Sequence, residues 1–218
     1  MTLNIVKEKT MRLAVPAIPP FRCSPIMPPN PADATRELLR KTHRTAVASA
    51  LYITRTEGED RFGQLPNGYM SKASDLVATG RRHPLQNFPA RYKDGLLIWQ
   101  EADAAAAVDP TDAVGVHIVA PLPQITPEEW QRLIERFIDD TLVVRGMVVD
   151  FAIHAQRDDQ GGWATHPHAH MIVTSRRYRN DMRKGQRQKT WLYNACQIDN
   201  VEDAWLAVTG LQRLPYLA

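Results

Sequence analysis

The sequence has few cysteines, no long apolar run and little net charge. Its two cysteines, Cys23 and Cys196, lie far apart among 218 residues, which argues against the disulfide framework of a small secreted protein. No apolar run is long enough to cross a membrane, and the N-terminal apolar residues are too interrupted for a convincing signal peptide. We therefore predict a cytoplasmic protein without a membrane segment.

The balance of charges permits a nucleic-acid partner without requiring one. The formal net charge is only +3, so the distribution of basic residues matters more than their total. Hydrophobic residues make up 44% of the chain, which is the ordinary level of a globular protein. At this length we expect one folded domain.

Seven prolines fall within residues 14–31. Because proline fixes the backbone and removes a hydrogen-bond donor, this segment is predicted to be extended rather than to form a packed element. A flexible tail and a docked arm both fit the pattern. We therefore divide the chain into a proline-rich N-terminal arm, residues 1–31, and a folded domain, residues 32–218.

Helical and strand patterns both occur in the folded domain. Thr126, Pro127 and Glu129 indicate a capping box at the start of an amphipathic helix, whereas residues 59–89 are typical of loops. We predict helices from about Ala32 to about Thr56 and at 90–108, 126–143 and 200–214, and strands at 114–123, 146–156 and 168–176. The last two strands are predicted to be antiparallel neighbours, joined by residues 157–165. The fold class is therefore α+β, a central antiparallel β-sheet with helices packed on its faces.

Histidines recur at every second position in residues 166–170, and His154 ends the preceding strand. Residues two apart in a strand point to the same face, so His168 and His170 project together and His154 can lie opposite them. Three imidazoles would then offer a catalytic divalent metal a site with open positions. His166 shares the same parity and is an alternative ligand, or an outer partner of the site.

Five blocks of sequence occur in a characteristic order. The block that contains the histidines matches at Gly146, Met147, Asp150, Ala152, Ile153, His154, Pro167, His168, Ala169, His170, Thr174 and Arg176. The other blocks are RTAVASALYITRTEG, LLIWQEAD, VHIVAPLP and GQRQKTW. Together they resemble the MobA/MobL family of plasmid relaxases, within the HUH endonuclease superfamily, over residues 43–210.

This resemblance implies an enzyme that nicks one DNA strand at a plasmid origin of transfer. In that family a tyrosine attacks the scissile phosphate and stays joined to the 5′ end, while a metal held by three histidines polarises the phosphate oxygens. Here the nucleophile would be Tyr52, and the ligands His154, His168 and His170 would hold manganese or magnesium, with zinc as a further option. Asp103 stands where the family usually has glutamate, and if its shorter side chain reaches His154 or a neighbour, it would orient that imidazole.

From the residues alone, Tyr52 has two interpretations. It lies in an apolar stretch of the first predicted helix, which is typical of a core aromatic. Arg44 and Arg55 are its basic neighbours, which suit a nucleophile that attacks a phosphate. The resemblance favours the second interpretation, and His43 is a further candidate nucleophile.

Residues 176–189 contain seven basic residues and one aspartate. Such a run is usually a solvated surface, but beside a metal site it indicates a track for the phosphates of single-stranded DNA. Tyr178 and Trp191 flank the run and could stack on bases. The residues predicted to bind DNA are Arg44, Arg176, Arg177, Lys184, Arg187 and Lys189. The expected partners are single-stranded DNA at an origin of transfer and accessory proteins of the relaxosome.

Two other functions fit parts of the sequence. A zinc hydrolase could use the same histidines on a small substrate, but it gives Tyr52 and the basic run no role. A rolling-circle-type replication initiator, or a DNA-binding module with a structural metal, is the second alternative. A structural metal predicts that His168→Ala unfolds the protein, whereas a catalytic metal predicts a folded and inactive variant.

Overall fold

A five-stranded antiparallel sheet forms the centre of the protein. The structure, a computed structural model, describes residues 18–26, 45–109, 113–188, 191–192 and 194–213. In chain order the strands are β1 (Arg22–Ile26), β2 (Glu59–Asp60), β3 (Gly63–Gln64), β4 (Leu76–Arg82), β5 (Gly115–Pro121), β6 (Val149–Arg157), β7 (Trp163–Thr174), β8 (Arg176–Arg177) and β9 (Gln186–Arg187). The central sheet has the order β1-β5-β7-β6-β4, and every neighbouring pair is antiparallel. Strands β2 and β3, and strands β8 and β9, form separate two-stranded ribbons.

Helices pack on both faces of this sheet. Within the described residues the α-helices are α1 (Ala46–Ile53), α2 (Leu97–Ala106), α3 (Pro127–Phe137) and α4 (Ala195–Thr209). Shorter helical turns cover Asn67–Asp75, Ala90–Tyr92, Ile138–Leu142 and Val143–Arg145. In this part of the chain no helix has the length and apolar character needed to span a membrane.

The two faces of the sheet bury different parts of the core because side chains alternate along each strand. On one face Phe151 and Met171 pack in a cluster with Trp205 of α4. On the other face Ile172 packs in a cluster with Trp99 of α2 and the residues of α1. The even-numbered positions of β6 and β7 therefore face α1 and α2.

The predicted fold class is confirmed. The three predicted strands correspond to β5, β6 and β7, and the last two are antiparallel neighbours. The capping box is also present, because the Thr126 hydroxyl accepts a hydrogen bond from Glu129 N and the Glu129 carboxylate accepts one from Thr126 N. These features could be predicted from the sequence because residues that are close together in the chain determine each of them.

The first predicted helix, from about Ala32 to about Thr56, does not continue through Thr45. Thr45 has an extended backbone, with φ −114° and ψ 152°, and its hydroxyl accepts a hydrogen bond from Ala48 N. This residue is therefore an N-cap, and α1 begins at Ala46. The prediction for residues 32–44 lies outside the described residues.

The second and last predicted helices differ from the structure at their ends. Gly95 has φ +70°, which does not fit a right-handed helix, so α2 begins only at Leu97. Helix α4 begins earlier than predicted because Asn194 caps it by accepting a hydrogen bond from Gln197 N. It ends at Gly210, which has φ +70°.

Strand β4 lies within residues 59–89, which were predicted to be rich in loops and in which no strand was predicted. It pairs along β6, and Gly80 lies opposite Phe151. A Cβ at Gly80 would come within 2.7 Å of the Phe151 ring, so the strand needs a glycine where the ring packs. That glycine interrupts the apolar pattern by which a strand is recognised.

Part of the proline-rich segment is a docked arm. Residues Arg22–Ile26 form the edge strand β1, which pairs with β5 from Arg22 opposite Val119 to Ile26 opposite Gly115. Proline is tolerated there because an edge strand needs only one side of its backbone for pairing. For these residues the expectation of an unpacked segment is therefore wrong, while the division at residue 31 stays a prediction.

Candidate metal centre

Strands β6 and β7 bring three histidines to one face of the sheet. In their antiparallel register His154 lies opposite His168, and Ala152 lies opposite His170. All three histidines have even numbers, so they face α1 and α2. The pairing becomes irregular directly after His154, so the cluster lies where the regular ladder ends.

The three imidazoles are close enough to share one cation. One ring nitrogen from each lies within 4.8 Å of the others, and the Nε2 atoms of His168 and His170 are 3.2 Å apart. Three nitrogen ligands leave positions open, as in a catalytic rather than a structural metal site. Imidazole nitrogen suits transition-metal ions, so the donor set fits such a cation.

Arg55 and Asp75 surround His154, which is fully buried. The Nη2 atom of Arg55 lies 2.9 Å from Nδ1 of His154, and Nε2 of His154 lies 2.7 Å from the carbonyl oxygen of Ile53. The same guanidinium donates hydrogen bonds of 3.0 and 2.9 Å to the two carboxylate oxygens of Asp75. Sequence reasoning missed Asp75, although it directly precedes the apolar residues that begin β4.

Burial keeps the three imidazoles neutral. Burial, together with the positive charge of Arg55, lowers the pKa of His154 to about 4. Burial is also the main cause of the lowered pKa values of His168 and His170. A neutral imidazole has the lone pair that a metal requires, so the cluster needs no deprotonation at neutral pH.

Tyr52 lies beside the cluster in the last turn of α1. Its half-buried ring meets the His170 ring edge-on, with a centroid distance of 5.6 Å. The Tyr69 ring is 5.4 Å away on another side, and Cζ of Arg55 lies 4.8 Å from the Tyr52 centroid. The phenol is therefore neither sealed in the core nor distant from the histidines.

Asp103 is a residue of α2, and its carboxylate contacts the start of α1, away from the three histidines. Its carboxylate accepts hydrogen bonds of 2.8 and 3.1 Å from the first two backbone N–H groups of that helix. Burial raises the pKa of Asp103 to about 6, although these two bonds oppose the shift. About 10 Å of helix separates this end from the end beside His154. The predicted contact with His154 is not made, and Asp103 instead fixes the helix that carries Tyr52.

Two further histidines adjoin the cluster. Nε2 of His117 on β5 lies 2.8 Å from Nδ1 of His170 and holds that ring in place. The carbonyl oxygen of His166 accepts a hydrogen bond of 2.7 Å from Nδ1 of His168, so the lone pair of His168 is on Nε2. The ring nitrogens of His166 are buried without a described hydrogen-bond partner, and this residue is not part of the three-histidine group.

The basic run lies at the other end of β7. Arg176 follows His170 by six residues, which is about 20 Å along a strand. The expectation that the run adjoins the histidines is therefore wrong, because β7 continues past them to Thr174. Tyr178 is buried and its hydroxyl donates to the carbonyl oxygen of Ile98, so it offers no stacking surface.

The predicted DNA-binding residues differ in their exposure. Arg176 is buried. Arg187 donates a hydrogen bond of 2.9 Å to the carbonyl oxygen of Ala113, which precedes β5. Arg177 and Lys184 are exposed. Two further residues, Arg44 and Lys189, lie outside the described residues.

A cleft of about 920 Å³ opens beside the basic run. Three arginines that line it, Arg145, Arg177 and Arg179, are exposed. Their guanidinium groups form no hydrogen bond or ion pair with any residue that the structure describes. Arg82 also lines the cleft, but its charge is paired with Asp139.

Comparison with known proteins first defines the fold. A solved structure, described as the molecular basis of vancomycin resistance transfer in Staphylococcus aureus, matches with a TM-score of 0.63. The match covers 87% of this chain and 89% of that chain at 18% sequence identity, so it establishes a shared fold. A comparison with curated proteins finds no match.

The family follows from the sequence itself. The model of the MobA/MobL family matches residues 44–206, which include α1, β6, β7 and all three clustered histidines. The chain therefore belongs to the MobA/MobL family. This membership supports a mobilisation relaxase.

We expect the metal-free protein to lose stability as the pH falls from about 6.5 to about 4. His154 has its ordinary pKa of 6.5 when unfolded and a pKa of about 4 when folded. The unfolded state therefore takes up the proton first, so this contribution to stability is fully present above pH 6.5 and declines toward pH 4. Denaturant unfolding of wild type and His154→Gln at several pH values measures this contribution of His154 to the free energy of unfolding.

The difference in unfolding free energy between these two proteins is expected to shrink as the pH falls. Other titrating groups, including Asp103, cancel in that difference. A difference that stays constant across the window would mean that the imidazole is not held neutral.

Proposed function

We propose that this protein is a metal-dependent DNA relaxase that nicks one strand at a plasmid origin of transfer. The observation that carries this proposal is the meeting of three neutral imidazoles and the Tyr52 ring on one face of the sheet. Membership of the MobA/MobL family supports the same activity. Its substrate would be plasmid DNA in the cytoplasm.

His154, His168 and His170 would hold the divalent cation. When bound, such a cation polarises the phosphoryl oxygens and stabilises the charge that develops on them. Nitrogen ligands favour manganese or zinc over magnesium, since magnesium takes oxygen ligands. The imidazole of His117 would keep His170 oriented toward its neighbours.

Tyr52 would act as the nucleophile. Its phenolic oxygen loses its proton and forms a bond to the scissile phosphorus as the bond to the 3′ oxygen breaks, and the departing 3′ oxygen takes up one proton in exchange. The product is a 5′-phosphotyrosyl DNA with a free 3′ hydroxyl. Asp103 supports this step indirectly, because it anchors the first turn of the helix on which Tyr52 lies.

The protein would bind the DNA at a distance from the nick site. Arg177 and Arg179 are exposed, line the same cleft and have no described ion-pair partner. Exposed guanidinium groups bind phosphates of any sequence. Because this cleft lies about 20 Å from the histidines along β7, it would hold DNA several nucleotides away from the nick.

Replacement of Tyr52 by phenylalanine is expected to abolish covalent capture of DNA. We would incubate the protein with labelled single-stranded origin DNA and manganese, and detect the adduct that survives denaturation. Tyr69→Phe is the matched control, since that ring packs against Tyr52, and it should still form the adduct. An adduct that persists in Tyr52→Phe would exclude this tyrosine as the nucleophile.

His168→Ala is expected to remain folded and to lose cleavage by at least about 100-fold, because the cation loses one of three ligands. Circular dichroism and the cleavage assay, with and without a chelator, measure the two effects. An unfolded variant would favour a structural metal in a DNA-binding module. A wild-type protein that cleaves a small ester substrate but never DNA, and that loses the ester cleavage in His168→Ala, would favour the zinc hydrolase.

The double variant Arg177→Ala/Arg179→Ala is expected to weaken binding of a long single-stranded oligonucleotide. Each lost phosphate contact reduces the salt dependence by about 0.7 in log–log slope, so the slope should fall by about 1.4. Cleavage of a short oligonucleotide that spans only the nick should not change. Arg132→Ala/Arg136→Ala on the exposed surface of α3 is the control, and an equal effect there would refute a specific role for the cleft.

A further inference from the structure

The guanidinium of Arg55 occupies the space between Tyr52, Asp75 and His154. It is buried, with only 4% of the residue exposed. Its Nη1 atom donates to the carbonyl oxygen of Tyr52 at 3.1 Å, and its other nitrogens reach Asp75 and Nδ1 of His154. The backbone of Arg55 has φ +55°, a conformation that non-glycine residues rarely adopt. The surroundings therefore hold this side chain in one position.

The contact with Arg55 determines where His154 carries its proton. A guanidinium has only donors, so Nδ1 of His154 must accept and has no hydrogen. The Ile53 carbonyl can only accept, so Nε2 carries the hydrogen and donates to it. Both ring nitrogens of His154 are thus engaged with the protein itself.

This arrangement is incompatible with coordination by His154. A cation needs a free lone pair, and the lone pair on Nδ1 is directed at Arg55, while Nε2 is protonated. By contrast, Nδ1 of His168 donates to a carbonyl, which leaves Nε2 of that ring as an acceptor. The Nε2 atoms of His168 and His170 also contact each other at 3.2 Å. Of the three clustered histidines, His154 is the one whose lone pair accepts a hydrogen bond from a charged arginine.

We propose that Arg55 is an internal competitor of the metal, a cation that holds His154 in the metal-free protein and must be displaced when the metal binds. The inference rests on the proposed metal centre. Asp75 retains the displaced guanidinium through two hydrogen bonds, so the positive charge stays beside Tyr52. Arg55 would then face the phosphate that the nucleophile attacks.

Removal of Arg55 should therefore tighten metal binding. Chelator-treated wild type and Arg55→Met would be titrated with manganese, and separately with zinc, by calorimetry in the absence of DNA. We expect affinity to rise about tenfold or more in the variant, since the metal no longer breaks a hydrogen bond from a charged donor or meets a like charge.

Two further variants separate competition from other causes. Arg55→Met/Asp75→Asn carries no freed carboxylate that could act as a new ligand, and it should also bind metal more tightly than wild type. Arg81→Met removes a half-buried arginine, one paired with Asp150 between β4 and β6, without touching a histidine. Its metal affinity should equal that of wild type.

The outcomes distinguish this inference from the proposed function. If no protein in the series binds metal, the metal centre itself is refuted. If wild type binds and Arg55→Met binds equally or more weakly, only the competition is refuted. Nitrogen NMR of the metal-free wild type tests the inference even if the variants do not fold. A proton on Nε2 of His154 would support the inference, whereas a proton on Nδ1 would overturn it.

Discussion

The antiparallel register of β6 and β7 is the constraint on which the site depends. His154 lies opposite His168, and one further pair along the ladder brings His170 to the same face. A shift of one residue in either strand would turn its histidines into the apolar cluster beneath α3 and α4. The register is secured because that cluster contains the odd-numbered residues of both strands, including Phe151 and Met171. The core on one face therefore determines the chemistry on the other.

The pair between Arg55 and Asp75 adds a second constraint, because it joins three separate elements. Arg55 follows α1, Asp75 precedes β4 and His154 ends the regular part of β6. A buried charge is costly unless it is paired and hydrogen-bonded, and a left-handed backbone adds about 1–2 kcal/mol of strain for an L-residue. Packing, rather than local preference, therefore holds this arrangement, and strained backbone of this kind clusters at functional sites in proteins.

The sequence allowed prediction of features that depend on nearby residues. Alternation identified β6 and β7, parity placed His168 and His170 together, and the capping box located α3. The partners of His154 could not be predicted, because Asp75 comes from a strand whose pattern is interrupted by Gly80. The backbone partners of Asp103 could not be predicted either, since spacing along the chain does not state which part of a helix a distant carboxylate meets.

The separation of the basic cleft from the histidines has an electrostatic reason. At physiological ionic strength, charges are screened over about 8 Å, while about 20 Å of strand separates Arg176 from His170. On the proposed function, arginines at the cleft would therefore attract DNA without repelling a cation at the imidazoles. Arg55 is the exception, because it touches His154. On the proposed function, a positive charge in that position would act on both the metal and the scissile phosphate.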